Sequence, residues 1–336
     1  MFLIFFVLNS LLLSYLAIKY FKQKPQYFVK DLYIYPIKSC HRVKVDKLEL
    51  LKTGLKYDRI FCIVDEKNKL LNQRKLNYMA KILPEIIENE NILRVRYKDK
   101  SKNDFVDIEL NQTKESSHKI DFKIWESHCY GIIERDEVNK WFSECLGRNC
   151  KLVRVDNNLR DRKLHEKYIN HDDCGEKLVS YADDAQILLI STDSLDELNR
   201  RLKKTYENTI KDNSYEIPMS RFRPNIVIQR TDSKYNNYGF IEDTFKDFFV
   251  GSTQLKTLYR SGRCAMITID QELGCMSSHK ELKYEPLKTL RSFRKIGNQN
   301  EVNLFGENSP LFGIKCNYYL KDKDKKIINI GDKIIY

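Results

Sequence analysis

The chain has 336 residues, 42% of them hydrophobic and 12% aromatic, enough for a packed core and too much for wholesale disorder. Its formal charge of +12 points to an anionic partner: a phosphate-bearing cofactor, an acidic protein, nucleic acid or a membrane surface. The nine cysteines show no repeated spacing and no CxxC pair, which argues against a disulfide framework, a zinc ribbon or a thioredoxin-type site and for a reducing compartment.

In chain order, Phe2 to Ile18 is an apolar run interrupted by Asn9, Ser10 and Ser14. It is at the short end of what spans a bilayer, and Lys19 can snorkel. A cleaved signal peptide needs a basic start and a small-residue cleavage site, and neither is present. Lys19, Lys22 and Lys24 follow on one side, so residues 1–22 predict an uncleaved N-terminal membrane anchor with the rest of the chain facing the cytosol.

From residue 28 the pattern is β-rich. Val29 to Ile37 alternates as a strand that ends at Pro36, Val43 to Leu51 alternates as another, and Ile60 to Val64 is a short apolar strand. Tyr97 to Asn103 predicts a loop and Asp104 to Leu110 a loosely alternating strand. Asp136 to Leu146 has helical spacing through Val138, Trp141, Phe142 and Leu146. Trp125 and Trp141 are expected in the core rather than in a ligand cage. The polar stretch from Leu159 to Glu176 predicts a linker between a first domain at 28–150 and a second at 170–336. His165 and His171 within it lack ligand partners at useful spacing and are expected at the surface.

Gln186 to Ile190 predicts a strand that runs into Ser191 and Thr192, with Ser194 and Glu197 as the capping box of a following helix. Strand, hydroxyl turn and helix N-terminus together make a natural anion site, although an ordinary helix cap has the same pattern. Pro224 biases Arg223 towards an extended conformation before the buried strand Ile226 to Ile228. Arg263 directly precedes Cys264. A neighbouring guanidinium favours the thiolate, the form that attacks or binds metal, whereas most intracellular cysteines are small buried hydrophobes.

Several separated motifs now stand together: Tyr35-Pro36-Ile37-Lys38-Ser39-Cys40, Asp58-Arg59, Phe222-Arg223-Pro224-Asn225-Ile226-Val227-Ile228, Val250-Gly251, Arg263-Cys264, Pro286-Leu287-Lys288-Thr289-Leu290 and Ser309-Pro310-Leu311-Phe312-Gly313. In order and spacing the chain resembles MOSC-domain proteins of the amidoxime-reducing component family, from about Val29 to the C-terminus. The resemblance implies a mixed α+β, mainly β fold: an N-terminal MOSC-type β-barrel half and a C-terminal MOSC β-barrel domain with peripheral helices, here preceded by one transmembrane helix.

It further implies a molybdenum–molybdopterin cofactor with Cys264 as the metal ligand and catalytic residue. Lys38, Ser39, Arg59, Ser191, Thr192, Arg223, Asn225, Gly262 and Arg263 are the implied cofactor-binding positions. Two departures from the family pattern are visible: Ser261 stands where a second cysteine is common, and Arg42 lies where a glycine is common. The activity implied is two-electron reduction of N-hydroxylated compounds such as amidoximes and hydroxylamines. The implied electron donor is cytochrome b5, itself reduced by NADH-cytochrome b5 reductase, and the implied location is the mitochondrial outer membrane. The chain carries no flavin or haem motif of its own. A cofactor-free sulfur carrier using Cys264 as a persulfide site is the alternative. Without a recognised motif or clustered basic helix, no nucleic-acid partner is expected.

Overall fold

Seven strands close into a barrel in the computed structural model, which describes residues 25–111, 118–156, 162–163, 177–208, 215–231, 239–320 and 326–336. Around the ring they are Ile226–Arg230, Ile187–Ser191, Leu311–Tyr318, Thr253–Gly262, Asp247–Val250, Lys333–Ile335 and Tyr27–Ile34, which pairs back onto Ile226–Arg230. All neighbours are antiparallel except Ile187–Ser191 and Ile226–Arg230, which the helix Thr192–Tyr206 connects as a crossover. Inward residues include Tyr27, Val29, Leu32, Leu189, Ile228, Leu255, Ile314, Tyr318 and Ile334, all buried in one cluster. The strand Tyr27–Ile34 changes register against its partner between Val29 and Asp31. That irregularity resets the alternation so that both Val29 and Leu32 face inward.

The barrel belongs to neither half of the sequence alone, since its closing stave comes from residues 27–34. The reverse also holds: Lys326–Asn329 pairs with Lys47–Leu51. Between these exchanges, residues 61–155 form a four-stranded sheet (Phe61–Asp65, Cys150–Val155, Ser127–Ile133 and Lys119–Ile124) and a three-stranded meander (Ile82–Ile87, Ile92–Tyr97 and Phe105–Glu109). Lys69 and Leu70 bridge the two edges of the four-stranded sheet, Lys69 to Lys123 and Leu70 to Val64, so that the sheet closes on itself around Cys62, Val64, Phe122, Ile124, Val153 and Val155. The helix Asp136–Leu146 packs Val138, Trp141, Phe142 and Leu146 into a second core with Phe61, Ile63, Leu93 and Ile108.

Most strand expectations hold, with three local corrections. The alternating run Val43 to Leu51 is two strands, Val43–Val45 and Lys47–Leu51, in different sheets. The hairpin Ile82–Ile87 and Ile92–Tyr97 has no counterpart in the expectation. The helix after Ile190 starts at Thr192 with Ser191 as its cap, not at Ser194, and Glu197 is held by Arg200 and Arg201 instead of closing a capping box. The predicted anchor at residues 1–22 lies outside the described residues, as does most of the predicted linker with His165 and His171. Among the described residues no helix is long and apolar enough to cross a membrane.

Candidate active site

At one end of the barrel the strand Thr253–Gly262 runs out into Arg263 and Cys264, and Cys264 then caps a short 3-10 turn at Ala265–Thr268. Six of the eight described cysteines are buried; Cys264 and Cys275 are the exposed ones, and Cys264 lines a cavity. That cavity has a volume of about 610 Å³, within the range of small-molecule sites. Its wall carries nine lysines and arginines against three carboxylates, a surplus of six positive charges. Lys38, Ser39 and Arg59 reach it from the first half of the chain, and Arg223, Gly262, Arg263 and Cys264 from the second.

Three of these wall residues adopt the left-handed backbone that side chains avoid: Ser39, Arg59 and Arg223 have φ of 65°, 49° and 57°. Arg223 is thus not extended as its Pro224 neighbour suggested. It ends the 3-10 turn Met219–Phe222, and its guanidinium donates to the Cys40 carbonyl at 2.7 Å and to Gln271 at 3.1 Å. The Tyr35 ring is flanked by two cations, Arg59 at 4.4 Å and Arg223 at 4.2 Å. Arg59 also pairs with buried Asp58. Strain collected in this way marks sites whose geometry serves a ligand rather than the fold.

The cations are held at a cost. Burial pushes the Arg223 and Arg263 guanidinium groups down to about 10, and both remain protonated at neutral pH. Arg263 donates to Ser261 Oγ at 3.0 Å and to the Phe222 carbonyl, so its hydrogen bonds go to the wall rather than to the Cys264 thiol. Its Nε has no hydrogen-bond partner among the described residues, and neither does that of Arg221. Burial likewise lowers Lys38, opposed by Asp183 at 2.5 Å. Buried positive charge with donors left over is the arrangement that an anionic, acceptor-rich ligand relieves.

Comparison with known proteins agrees with this geometry. The description "MOSC N-terminal beta barrel domain" matches residues 26–149 and "MOSC domain" matches residues 176–335. The chain belongs to the MOSC-domain proteins. Among its relatives, "Mitochondrial amidoxime reducing component 2" of Bos taurus is 28% identical over 91% of this chain and 82% of its own length. The Homo sapiens protein of that name gives the same figures. "Molybdenum cofactor sulfurase" of Arabidopsis thaliana is 30% identical over 92% of this chain, which spans only 35% of that relative.

Within this MOSC cavity not every expected residue has the expected place. Asn225 lies behind the wall as a brace: its amide donates to the Tyr33 carbonyl at 3.1 Å, and its oxygen accepts from Arg59 at 3.3 Å and from the Leu188 amide at 3.2 Å. Ser191 and Thr192 do not line the cavity. The Ser191 hydroxyl is fully buried and donates to Glu242 at 2.7 Å, with the Ser194 hydroxyl on the same carboxylate. The hydroxyl turn does meet an anion at the helix N-terminus, but that anion is the chain's own Glu242. Trp125, expected in the core, is 55% exposed at the cavity, where its indole donates to Asp183 at 2.8 Å and Arg74 lies 4.5 Å from its ring. Asp183 was not anticipated either. Burial opposes its charge, but the Lys38 ammonium holds it well below the usual carboxylate range.

Proposed function

We propose that this MOSC protein holds a molybdenum–molybdopterin cofactor, with the Cys264 sulfur as the metal ligand, and reduces N-hydroxylated compounds to amines or amidines. The observation that carries the reading is a single exposed thiol on the wall of a cavity with six surplus positive charges. The donor set suits the group: a soft sulfur for a transition metal, fixed guanidinium groups at Arg223 and Arg263 for a phosphate, and the Ser39 hydroxyl for a pterin edge. When bound, the cofactor would supply the two-electron chemistry that removes oxygen from nitrogen. The chain's part is positional. Arg59 and Arg223 keep a constant positive field through neutral pH, and Gly262 lets the strand end come close under Phe305, whose ring a Cβ would meet at 2.4 Å.

Electrons would come from cytochrome b5 and its NADH-dependent reductase, a salt-sensitive encounter favoured by the +12 charge. Residues 1–22 would tether the chain to a membrane, and the names of the relatives favour a mitochondrial one. Purification from a cofactor-competent host, with molybdenum and oxidised-pterin fluorescence measured together, tests the binding step. Cys264→Ala tests the ligand: metal retention and benzamidoxime reduction are both expected to fall to background, and a variant that kept both would remove Cys264 from the metal.

The sulfurase relatives favour a second reading, in which the chain carries sulfur as a persulfide on Cys264 without a metal. Protein that binds no molybdenum, but whose Cys264 gains one sulfur atom by mass, would establish that alternative.

A further inference from the structure

The cations of the cavity wall differ in what they are paired with. Lys38 meets Asp183 at 2.5 Å, Arg221 meets Asp270 at 3.1 Å, Lys315 meets Asp184 at 2.8 Å, and Arg59 pairs with Asp58. Arg74, Lys75 and Lys123 are exposed to solvent. Arg223 and Arg263 are neither paired nor exposed. They are 9% and 8% exposed, and among the described residues neither has a carboxylate within ion-pairing distance. Their hydrogen bonds go to uncharged oxygens: Arg223 to the Cys40 carbonyl and Gln271, Arg263 to Ser261 and the Phe222 carbonyl.

The acceptor at position 271 stands between two acids, in the run Asp270-Gln271-Glu272. The Asp270 carboxylate turns to Arg221. Glu272 is exposed and meets His41, Arg42 and Lys98 at 3.1, 3.4 and 3.3 Å. The side chain that turns inward, 3% exposed, is the neutral one. Its oxygen accepts from Arg223 and from Gln73 Nε2, both at 3.1 Å. Its amide nitrogen donates to Gln73 Oε1 at 2.9 Å and to the Ile269 carbonyl at 3.2 Å. Both amide hydrogens and both oxygen lone pairs are thereby used, which leaves Gln271 one orientation. Gln73 is fully buried and comes from the first half of the chain, between Asn72 and Arg74 of the cavity wall. A carboxylate in place of Gln271 would bind Arg223 more strongly, but it would cancel the charge. The amide fixes the guanidinium and leaves its charge whole.

Resting on the reading of the cavity as an anion site, we propose that Gln271, locked by Gln73, is a positioning residue that holds Arg223 in the wall while keeping its positive charge uncompensated for the bound anion.

The test compares Gln271→Glu with Gln271→Met in the full chain. Both substitutions break the amide pair, and denaturant midpoints measure that shared loss. Only the first sets a negative charge beside Arg223. Molybdenum retained after dialysis, from a cofactor-competent host, is expected to fall about 10- to 100-fold further in Gln271→Glu than in Gln271→Met. Inorganic phosphate, titrated calorimetrically into cofactor-free protein, is expected to bind in the same order. Its affinity should also depend less on salt in Gln271→Glu than in wild type or Gln271→Met, because the site has lost one net charge. Gln73→Glu, which sets the charge one side chain further back, is the second variant and is expected to show the same ordering to a smaller degree. Equal losses in the glutamate and methionine variants, or losses that only follow their denaturant midpoints, would overturn the proposal and leave the cofactor reading intact. Wild type that holds no molybdenum but binds phosphate in the expected order would overturn the cofactor reading and support this one. Wild type that binds neither would overturn both.

Discussion

The cavity wall is built from residues that the rest of the fold would sooner be without. Arg263 is 8% exposed with one nitrogen unpartnered, and Arg223 gives up charge stability to burial. If that burial serves an anion, Arg263→Lys should weaken cofactor retention by about 10- to 100-fold, because an ammonium cannot reproduce the forked donors, while leaving the denaturation midpoint nearly unchanged. Molybdenum content after dialysis, set beside a denaturant titration, separates the two effects. Gly262→Ala should do the opposite. A Cβ placed 2.4 Å from the Phe305 ring overpacks the strand end, costing about 1–3 kcal/mol of stability, and it should move Cys264 with it. Its unfolding midpoint is the measurement, and Phe305→Leu in the same chain is expected to restore part of the loss. Arg263 and Cys264 were legible in the sequence because they adjoin at the mouth of an apolar run. Asp183 and Trp125 were not. Their chemistry depends on two turns, distant in sequence, meeting at 2.8 Å, and no local pattern records that.

At the scale of the element, the crossover helix Thr192–Tyr206 shows why a correct motif can carry the wrong ligand. Its N-terminus does gather an anion, but the carboxylate arrives from Glu242, 51 residues beyond the Ser191 that donates to it. The same strand–hydroxyl–helix pattern would read alike with a phosphate there, and only the tertiary contact decides. The buried Glu242 also gives the element a pH signature. Burial first, and the neighbouring Asp243 second, raise its carboxyl above the usual value of 4.5 despite the serine hydrogen bonds. A carboxyl raised on folding contributes stability that is fully present below the unfolded-state value and is lost as pH climbs through the folded one. Wild type should therefore lose stability relative to Glu242→Gln as pH rises from 4.5, the amide being close in shape to the neutral acid. Denaturant midpoints of the two proteins between acid and neutral pH check this, and a difference that does not change with pH would mean that Glu242 is not the titrating group.

The whole molecule is one interlocked body, although its sequence divides readily into two. The polar stretch from Leu159 to Glu176 suggests a boundary, and the alternating run after Val29 looks like the first strand of a first domain. That run in fact closes the barrel of the second, a long-range pairing with residues 226–230 and 333–334 that periodicity cannot show. The pairing has a cost that can be measured. Tyr27, Val29, Leu32 and Ile34 are all buried. At about 1.5–3 kcal/mol for each such side chain, the stave contributes roughly 6–12 kcal/mol, comparable to the whole stability of a typical domain. Without it the strands Ile226–Arg230 and Lys333–Ile335 would each present an unpaired edge, open to association with other chains. A fragment of residues 170–336, the second domain as the sequence delimits it, should therefore aggregate and lack a near-ultraviolet dichroism signal. A synthetic peptide of residues 25–36 supplied during refolding should restore both solubility and slow hydrogen exchange at Ile226–Arg230. Cooperative unfolding of the fragment without the peptide would mean that closure by Tyr27–Ile34 is not what holds the barrel together.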